Sequence, residues 1–432
     1  MREPVTIGPA AVAARVAPAG RITSAARGRA WDAYLLAAIA LAPIVVPAGP
    51  AQTAFVDALN AAAIVAFSIT VAVRRPALRL PFALPVLLVA TGSLLALTSA
   101  PAPGASVLAL AQDAYLYLWF LVLVNLWSGR GALERFRIGW VLVADAIALA
   151  CLVAATRSGP SALAGLVSAR GVRWAATFYN PNMFADYLVL SVFLLLSLEG
   201  RLTRTAFAGS LLLLGVALLL TKSNGGLVAL AAGLVVWAVA RALARGVAPA
   251  RAWGALAVLL GVLVVAAWTQ HELHWADRPL ERLRAETFVG RASRSTERRE
   301  RIWAQLEETV ESHPLGIGPA GSAEQSVAIG ERERPGSFRS KEAHSDYIAA
   351  WVERGALGFV GLLLAVVESL RRIGRAWRRA GASRGGARLV LAALAGGLVA
   401  TAVHSTVIEK LHFRHFWVFL ALASAIPEDE RS

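Results

Sequence analysis

Thr205-Ala-Phe-Ala-Gly-Ser-Leu-Leu-Leu-Leu-Gly-Val-Ala-Leu-Leu-Leu-Thr221 carries no charged residue. As a helix it would be about 25 Å long, close to the roughly 30 Å thickness of bilayer hydrocarbon. Apolar runs of this kind recur in both directions, at roughly 32–48, 53–73, 80–98, 106–127, 138–156, 182–198, 226–242, 252–269, 346–368, 388–405 and 413–426. The 432 residues are 57% hydrophobic and 16% charged, with a mean hydropathy of +0.58, outside the range of soluble globular chains. The expected fold is all-α: a polytopic membrane protein of about 12 transmembrane helices, with one long outer loop containing short helices. An even number of spans puts both termini on one side.

The formal net charge of +15 invites a nucleic-acid reading, but its distribution excludes one. The N-terminal side and the alternate connections hold 24 Lys and Arg, whereas the short connections opposite hold six: Arg157, Arg170, Arg173, Lys222, Lys410 and Arg414. That asymmetry is the positive-inside pattern and sets both termini in the cytoplasm. The basic excess therefore reads as topology and attraction to anionic membrane lipids. The long loop, with 12 basic and 13 acidic residues, is nearly neutral and lies outside. The chain divides accordingly into a basic cytoplasmic tail (1–30), helices 1–9 (31–270), an outer loop (271–343), helices 10–12 (344–427) and a short cytoplasmic tail (428–432). Val46-Pro-Ala48 faintly resembles a signal-cleavage site, but the topology closes with the first helix retained. Cys151, the only cysteine, sits in an apolar segment, so neither a disulfide framework nor a thiolate metal site is expected.

The loop has its own pattern. Thr296 can cap a helix with Glu297 and Glu300 in its first turn. Trp303, Leu306 and Val310 follow at helical spacing, and His313-Pro314 ends the run. Arg299 stands one turn before Trp303 on the same face, where an arginine snorkels, pairs with a carboxylate or meets an anionic ligand. His344 directly precedes an apolar helix, with Ser345 as N-cap. A helix N-terminus disfavours a cation, which suits His344 to a neutral, basic form; an interfacial, hydrogen-bonding histidine is the plainer alternative.

Three motifs come in order around this loop: Arg299-x-x-x-Trp303, His313-Pro-Leu-Gly-Ile-Gly318 and His344-x-x-Tyr347 continuing to Glu353-x-Gly355-x-x-Gly358. With Thr177-Phe-Tyr-Asn180-Pro-Asn182 at the start of a middle helix, they resemble the O-antigen ligase / O-antigen polymerase superfamily of bacterial inner-membrane glycosyltransferases. The resemblance implies metal-independent glycan transfer from an undecaprenyl-diphosphate carrier, with no cofactor, at the periplasmic face. The acceptor is the lipid A–core oligosaccharide in ligases and another lipid-linked repeat in polymerases. It also implies His344 as catalytic base and Arg299 as the diphosphate-binding residue. One position departs: where the family often has Ser-Arg-Gly, this chain reads Thr221-Lys-Ser-Asn224-Gly225, and the Lys222 ammonium does not reproduce a guanidinium fork.

Displacing a lipid diphosphate at an anomeric carbon needs a base for the acceptor hydroxyl and cations for the developing charge. Arg301 and Lys222 can assist Arg299, and Arg173, Asn180, Asn182 and Tyr347 complete the expected diphosphate- or sugar-binding set. No Asp-x-Asp pair or His/Glu cluster has metal-ligand spacing. Acids within or at the ends of apolar segments, Asp57, Asp113, Asp145, Asp186 and Glu353, are costly there and point to pairing or function. Asp57, Asp113 and Asp186 are expected to hydrogen-bond sugars or pair with outer arginines, and Glu353 to pair with Arg354 or Arg299. The leading expectation is a ligase. A polymerase or protein-glycan transferase shares its donor chemistry, and Asp145, near mid-membrane, favours a proton-coupled transporter or flippase, a rival of another class.

Overall fold

The computed structural model describes residues 29–45, 54–127, 130–156, 169–170, 173–178, 180–248, 302–304, 306–323, 343–381 and 385–429. Its longer helices are α1 (Arg29–Leu41), α2 (Phe55–Arg74), α3 (Ala83–Ala96), α4 (Pro103–Leu126), α5 (Arg130–Thr156), α6 (Pro181–Leu196), α7 (Arg204–Thr221), α8 (Asn224–Ala244), α9 (Asp346–Arg379), α10 (Gly385–His404) and α11 (Arg414–Asp429). They follow the apolar runs in order; the run expected at 252–269 lies outside the described residues. Among the described residues, seven helices are long and apolar enough to cross a membrane, and Ala30–Leu41, Ala83–Ser99 and Pro181–Leu196 are shorter apolar helices. The protein is an all-α, multi-pass membrane protein. Strand structure among the described residues is confined to Ala169–Arg170 (β1) paired antiparallel with Arg173–Trp174 (β2).

Local chemistry starts the helices. Pro103 and Pro181 occupy first-turn positions that need no backbone N–H. Asn180, Thr203, Ser223 and Ser345 cap α6, α7, α8 and α9 by accepting from Asn182, Ala206, Gly226 and Ile348 amides. Short connections alternate the helix directions. The 96–103, 221–224 and 404–414 connections and residues 173–178 therefore gather at the end that carries His344, and the 196–204 turn lies at the other.

α6 is the central helix. From Met183 to Leu196 every residue is buried, as expected for a helix apolar all round and enclosed by neighbours. It packs against α5, α7, α8 and α10. Leu142, Leu212 and Leu219, by contrast, are exposed on α5 and α7 and face outward. Two crossings rely on glycine pairs that let backbones touch. A Cβ on Gly233 of α8 would stand 2.5 Å from the Gly396 carbonyl of α10, and one on Gly92 of α3 would stand 2.8 Å from the Gly358 amide of α9.

α9 has two features that its apolar run at 346–368 does not show. The helix continues beyond the run to Arg379. An i,i+4 bond from Arg372 to Glu368 (3.0 Å) and burial of Ile373 and Ala376 carry it past the apolar limit. It also breaks at Gly355, whose φ of 62° and ψ of −167° are non-helical.

Candidate functional site

Both His344 and Lys222 hold left-handed backbones, with φ of 54° and 50°. For non-glycine residues this conformation is uncommon and costs roughly 1–3 kcal/mol, so the surroundings must impose it. At His344 several contacts do so. The His344 amide donates to Glu409 Oε1 (2.8 Å), and the carbonyl of Ala343 accepts from Trp303 Nε1 (2.9 Å). The Asp346 amide donates to the Ser405 carbonyl (2.9 Å), while Asp346 Oδ1 accepts from the amides of Lys410 (2.9 Å) and Leu411 (3.2 Å). The entrance to α9 is thus clasped between the loop helix that carries Trp303 and the α10–α11 connection.

The motif spacing of the loop has a structural meaning. Residues 302–304 and 306–312 are helical, and the expected apolar stripe packs down. Ile302, Leu306, Ile317, Ala343, Ala349 and Val352 form a separate buried cluster flanked by Trp303 and Val310. The 313–318 segment lies in the break of α9. The Ile317 amide donates to the Val352 carbonyl (3.0 Å), and Ser99 Oγ donates to the Gly316 carbonyl (2.6 Å). Gly316 and Gly355 meet face to face, because a Cβ on Gly316 would stand 2.7 Å from the Gly355 amide. The His-Pro-Leu-Gly-Ile-Gly and Glu-x-Gly-x-x-Gly motifs are two halves of one contact.

Beneath the α9 entrance lies a buried polar centre. Asp186 Oδ1 lies 2.7 Å from His404 Nδ1 and accepts from Lys410 Nζ (3.0 Å), and Asp186 Oδ2 lies 3.1 Å from His415 Nε2. All four side chains are at most 1% exposed. Lys410, one of the six cations expected on the outer connections, is buried as the counter-charge of the central helix. His404, His415 and Glu409 were not singled out from sequence. A histidine at the end of an apolar helix was the signal available, the same one that drew attention to His344.

Arg173 donates from Nε to the Thr221 carbonyl (2.9 Å) and from a terminal nitrogen to Asn182 Oδ1 (2.8 Å), which also accepts from Ser223 Oγ (2.9 Å). These bonds tie the β2 strand to α6 and to the α7–α8 turn where Lys222 sits. That turn meets the buried centre, since a Cβ on Gly225 would stand 2.7 Å from Val407 and 3.3 Å from His404. The Tyr347 hydroxyl donates to the Ala402 carbonyl (3.0 Å), and Tyr347 also lines an apolar groove between α3, α4, α9, α10 and α11. The groove runs from Tyr347, Ser405 and Leu411 to Phe82 and Ser369 near the opposite end. His344, Lys222, Arg173, Asn180, Asn182 and Tyr347 thus share one end of the bundle; Arg299 and Arg301 lie outside the described residues.

The apolar-segment acids are paired. Arg414 forms a two-pronged ion pair with Asp57, which also accepts from Tyr115 (2.8 Å). Arg354 meets Asp113 at 2.6 Å and donates to Ser93 (2.8 Å). Glu353 accepts from Ser322 Oγ (2.5 Å) and meets Arg354 through its charge, without a direct bond between them, because successive residues of a helix face different directions; its other expected partner, Arg299, lies outside the described residues. Asp145 accepts from Ser210 on α7. Outside the spans, a hydrogen bond from Arg241, reinforced by Arg245, holds the Glu199 carboxyl below its ordinary range.

These features define a multi-pass membrane protein with a polar site at one end of its bundle, backed by an apolar groove. Residues 209–363, from α7 through the loop to the first half of α9, match the family model described as O-antigen ligase. That similarity supports the O-antigen ligase / O-antigen polymerase superfamily, which the loop motifs resemble. No curated protein matches the chain.

Proposed function

We propose that the protein is an O-antigen ligase that moves glycan from undecaprenyl diphosphate to the lipid A–core oligosaccharide. In this reading it lies in the bacterial inner membrane, with both termini cytoplasmic and the site periplasmic. The observation that carries it is the position of His344: at the entrance of α9, in a left-handed backbone held by Glu409, within the region of the family match. A basic imidazole there accepts the proton of the acceptor hydroxyl as its oxygen attacks the anomeric carbon. The anomeric C–O bond to the diphosphate breaks, and undecaprenyl diphosphate leaves with the electron pair.

Arg299 and Arg301, with Lys222, balance the charge that gathers on the diphosphate, in the role a divalent cation has in other transferases. Arg173, Asn180, Asn182 and Tyr347 bind diphosphate or sugar in this scheme. The apolar groove beside Tyr347 is chemically suited to an isoprenoid chain. The mechanism uses neither metal nor cofactor.

The test is reconstitution of the full chain in lipid nanodiscs with undecaprenyl-diphosphate glycan and two acceptors, lipid A–core and a second lipid-linked repeat. Glycan is expected on lipid A–core, with EDTA present, and His344→Ala is expected to insert, fold and fail to transfer. Product on the lipid-linked repeat alone would make the protein a polymerase. Full activity of His344→Ala would remove the base from the mechanism.

A further inference from the structure

A buried ion pair is weak evidence of stability, since replacing both charges by apolar groups is often neutral or stabilising. The pairing of Asp186 with Lys410 therefore calls for another explanation, and the connectivity supplies one. Lys410 makes two contacts from one residue. Its Nζ donates to Asp186 on the central helix (3.0 Å), and its backbone amide donates to Asp346 (2.9 Å), two residues beyond His344. Its neighbour Glu409 accepts the His344 amide (2.8 Å). His404 and His415, at the two ends of the same connection, are tied to the same Asp186 carboxylate (2.7 and 3.1 Å). Ser405 and Leu411, between them, complete the clasp on Asp346. The connection that holds His344 is thus anchored at three points to one carboxylate on the helix most enclosed by others.

We infer that Asp186 and Lys410 are positioning residues for His344, transmitting the rigidity of α6 through residues 404–411 to the imidazole. The inference rests on His344 being the base of the proposed transfer. A strained, left-handed residue persists only where neighbours over-determine it. Without the Asp186 anchor, Glu409 and Lys410 lose their fixed distance from the bundle, and the imidazole loses its aim at the acceptor hydroxyl. Donor binding depends on other cations and is left intact.

The test uses the full-length protein in nanodiscs with undecaprenyl-diphosphate glycan and lipid A–core. Lys410→Met leaves the buried Asp186 carboxylate with His404 and His415 but without its lysine counter-charge, and should melt well below wild type. The neutral pair Asp186→Asn/Lys410→Met should recover the melting temperature and keep the donor KM within about twofold, yet show kcat reduced by roughly 100-fold, the order that a 1 Å misplacement of a reacting group costs. Combined with His344→Ala, the neutral pair should lower the residual rate no further.

Recovery of kcat together with melting in the neutral pair would reduce the centre to a structural role and overturn the inference. So would a raised donor KM at unchanged kcat, or an additive loss in the His344→Ala background. Should the neutral pair fail to fold, Asp186→Asn alone is read instead: a folded protein with wild-type kcat overturns the inference, and a kcat loss at unchanged KM supports it. If His344→Ala is itself fully active, the base assignment fails regardless of the pair. If His344→Ala is inactive and the neutral pair fully active, only the positioning role fails.

Discussion

Gly355→Ala tests whether the break in α9 is the seat of the 313–318 segment. The φ of 62° and ψ of −167° lie in a region open almost only to glycine, which costs another residue roughly 1–3 kcal/mol. The added Cβ would stand 2.8 Å from the Leu315 carbonyl group and 3.0 Å from the Pro314 oxygen, inside the roughly 3.5 Å of an unstrained contact. Relief requires lifting the segment, which severs the Ile317–Val352 and Ser99–Gly316 hydrogen bonds, worth about 1 kcal/mol each. The expected destabilisation is therefore about 4 kcal/mol.

Gly374→Ala is the internal control. It lies in the same helix with nothing within 4 Å of its Cβ, and should be neutral or stabilising by about 0.4–1 kcal/mol. Thermal melting of both variants in nanodiscs measures the difference, and limited proteolysis of the 313–323 region reports whether the segment has lifted. If Gly355→Ala melts with Gly374→Ala and is no more cleavable, the contact between the two motifs has been misread.

Two further predictions follow from charge. Arg299→Lys should weaken use of the undecaprenyl-diphosphate donor strongly while leaving the fold intact, since a guanidinium fork is replaced by a point charge; an unchanged donor KM in the reconstituted assay counts against the diphosphate role. Glu199, held below its ordinary 4.5 by Arg241 and Arg245, contributes stability above that pH and loses it as pH falls through the lowered value. Glu199→Gln should accordingly melt lower than wild type by the equivalent of about 0.5–1 kcal/mol at neutral pH. The gap should close on acidification below 4.5, and a gap that persists or widens there contradicts the pairing.

Much of the helix layout was legible because it is written locally. Ser345 caps the helix it precedes, and the Trp303, Leu306 and Val310 stripe packs down, because caps and helical periodicity depend on residues within a turn or so. Asp57, Asp113 and Asp186 stood out as costly acids, and each meets a cation. Their partners were not legible: Asp186 and Lys410 are 224 positions apart, and no local pattern joins them. Glu353 and Arg354 illustrate the converse, adjacent in sequence yet turned to different partners by the helix. The full length of α9 was not legible because apolarity marks where a helix meets lipid, whereas Ile373, Ala376 and the Glu368–Arg372 bond extend it further.

Sequence by itself determined that this is a helical membrane protein and, through the order of three loop motifs, which superfamily it resembles. The physical reason is the bilayer, which demands that each spanning segment satisfy its own backbone hydrogen bonds and so makes helices readable one run at a time. Only the tertiary structure decided that the 313–318 motif fills the break at Gly355, and that His344 is held by a connection anchored on Asp186. Those contacts follow from which helix faces meet, and in an apolar interior a polar group far along the chain is satisfied only once the whole bundle has closed around it.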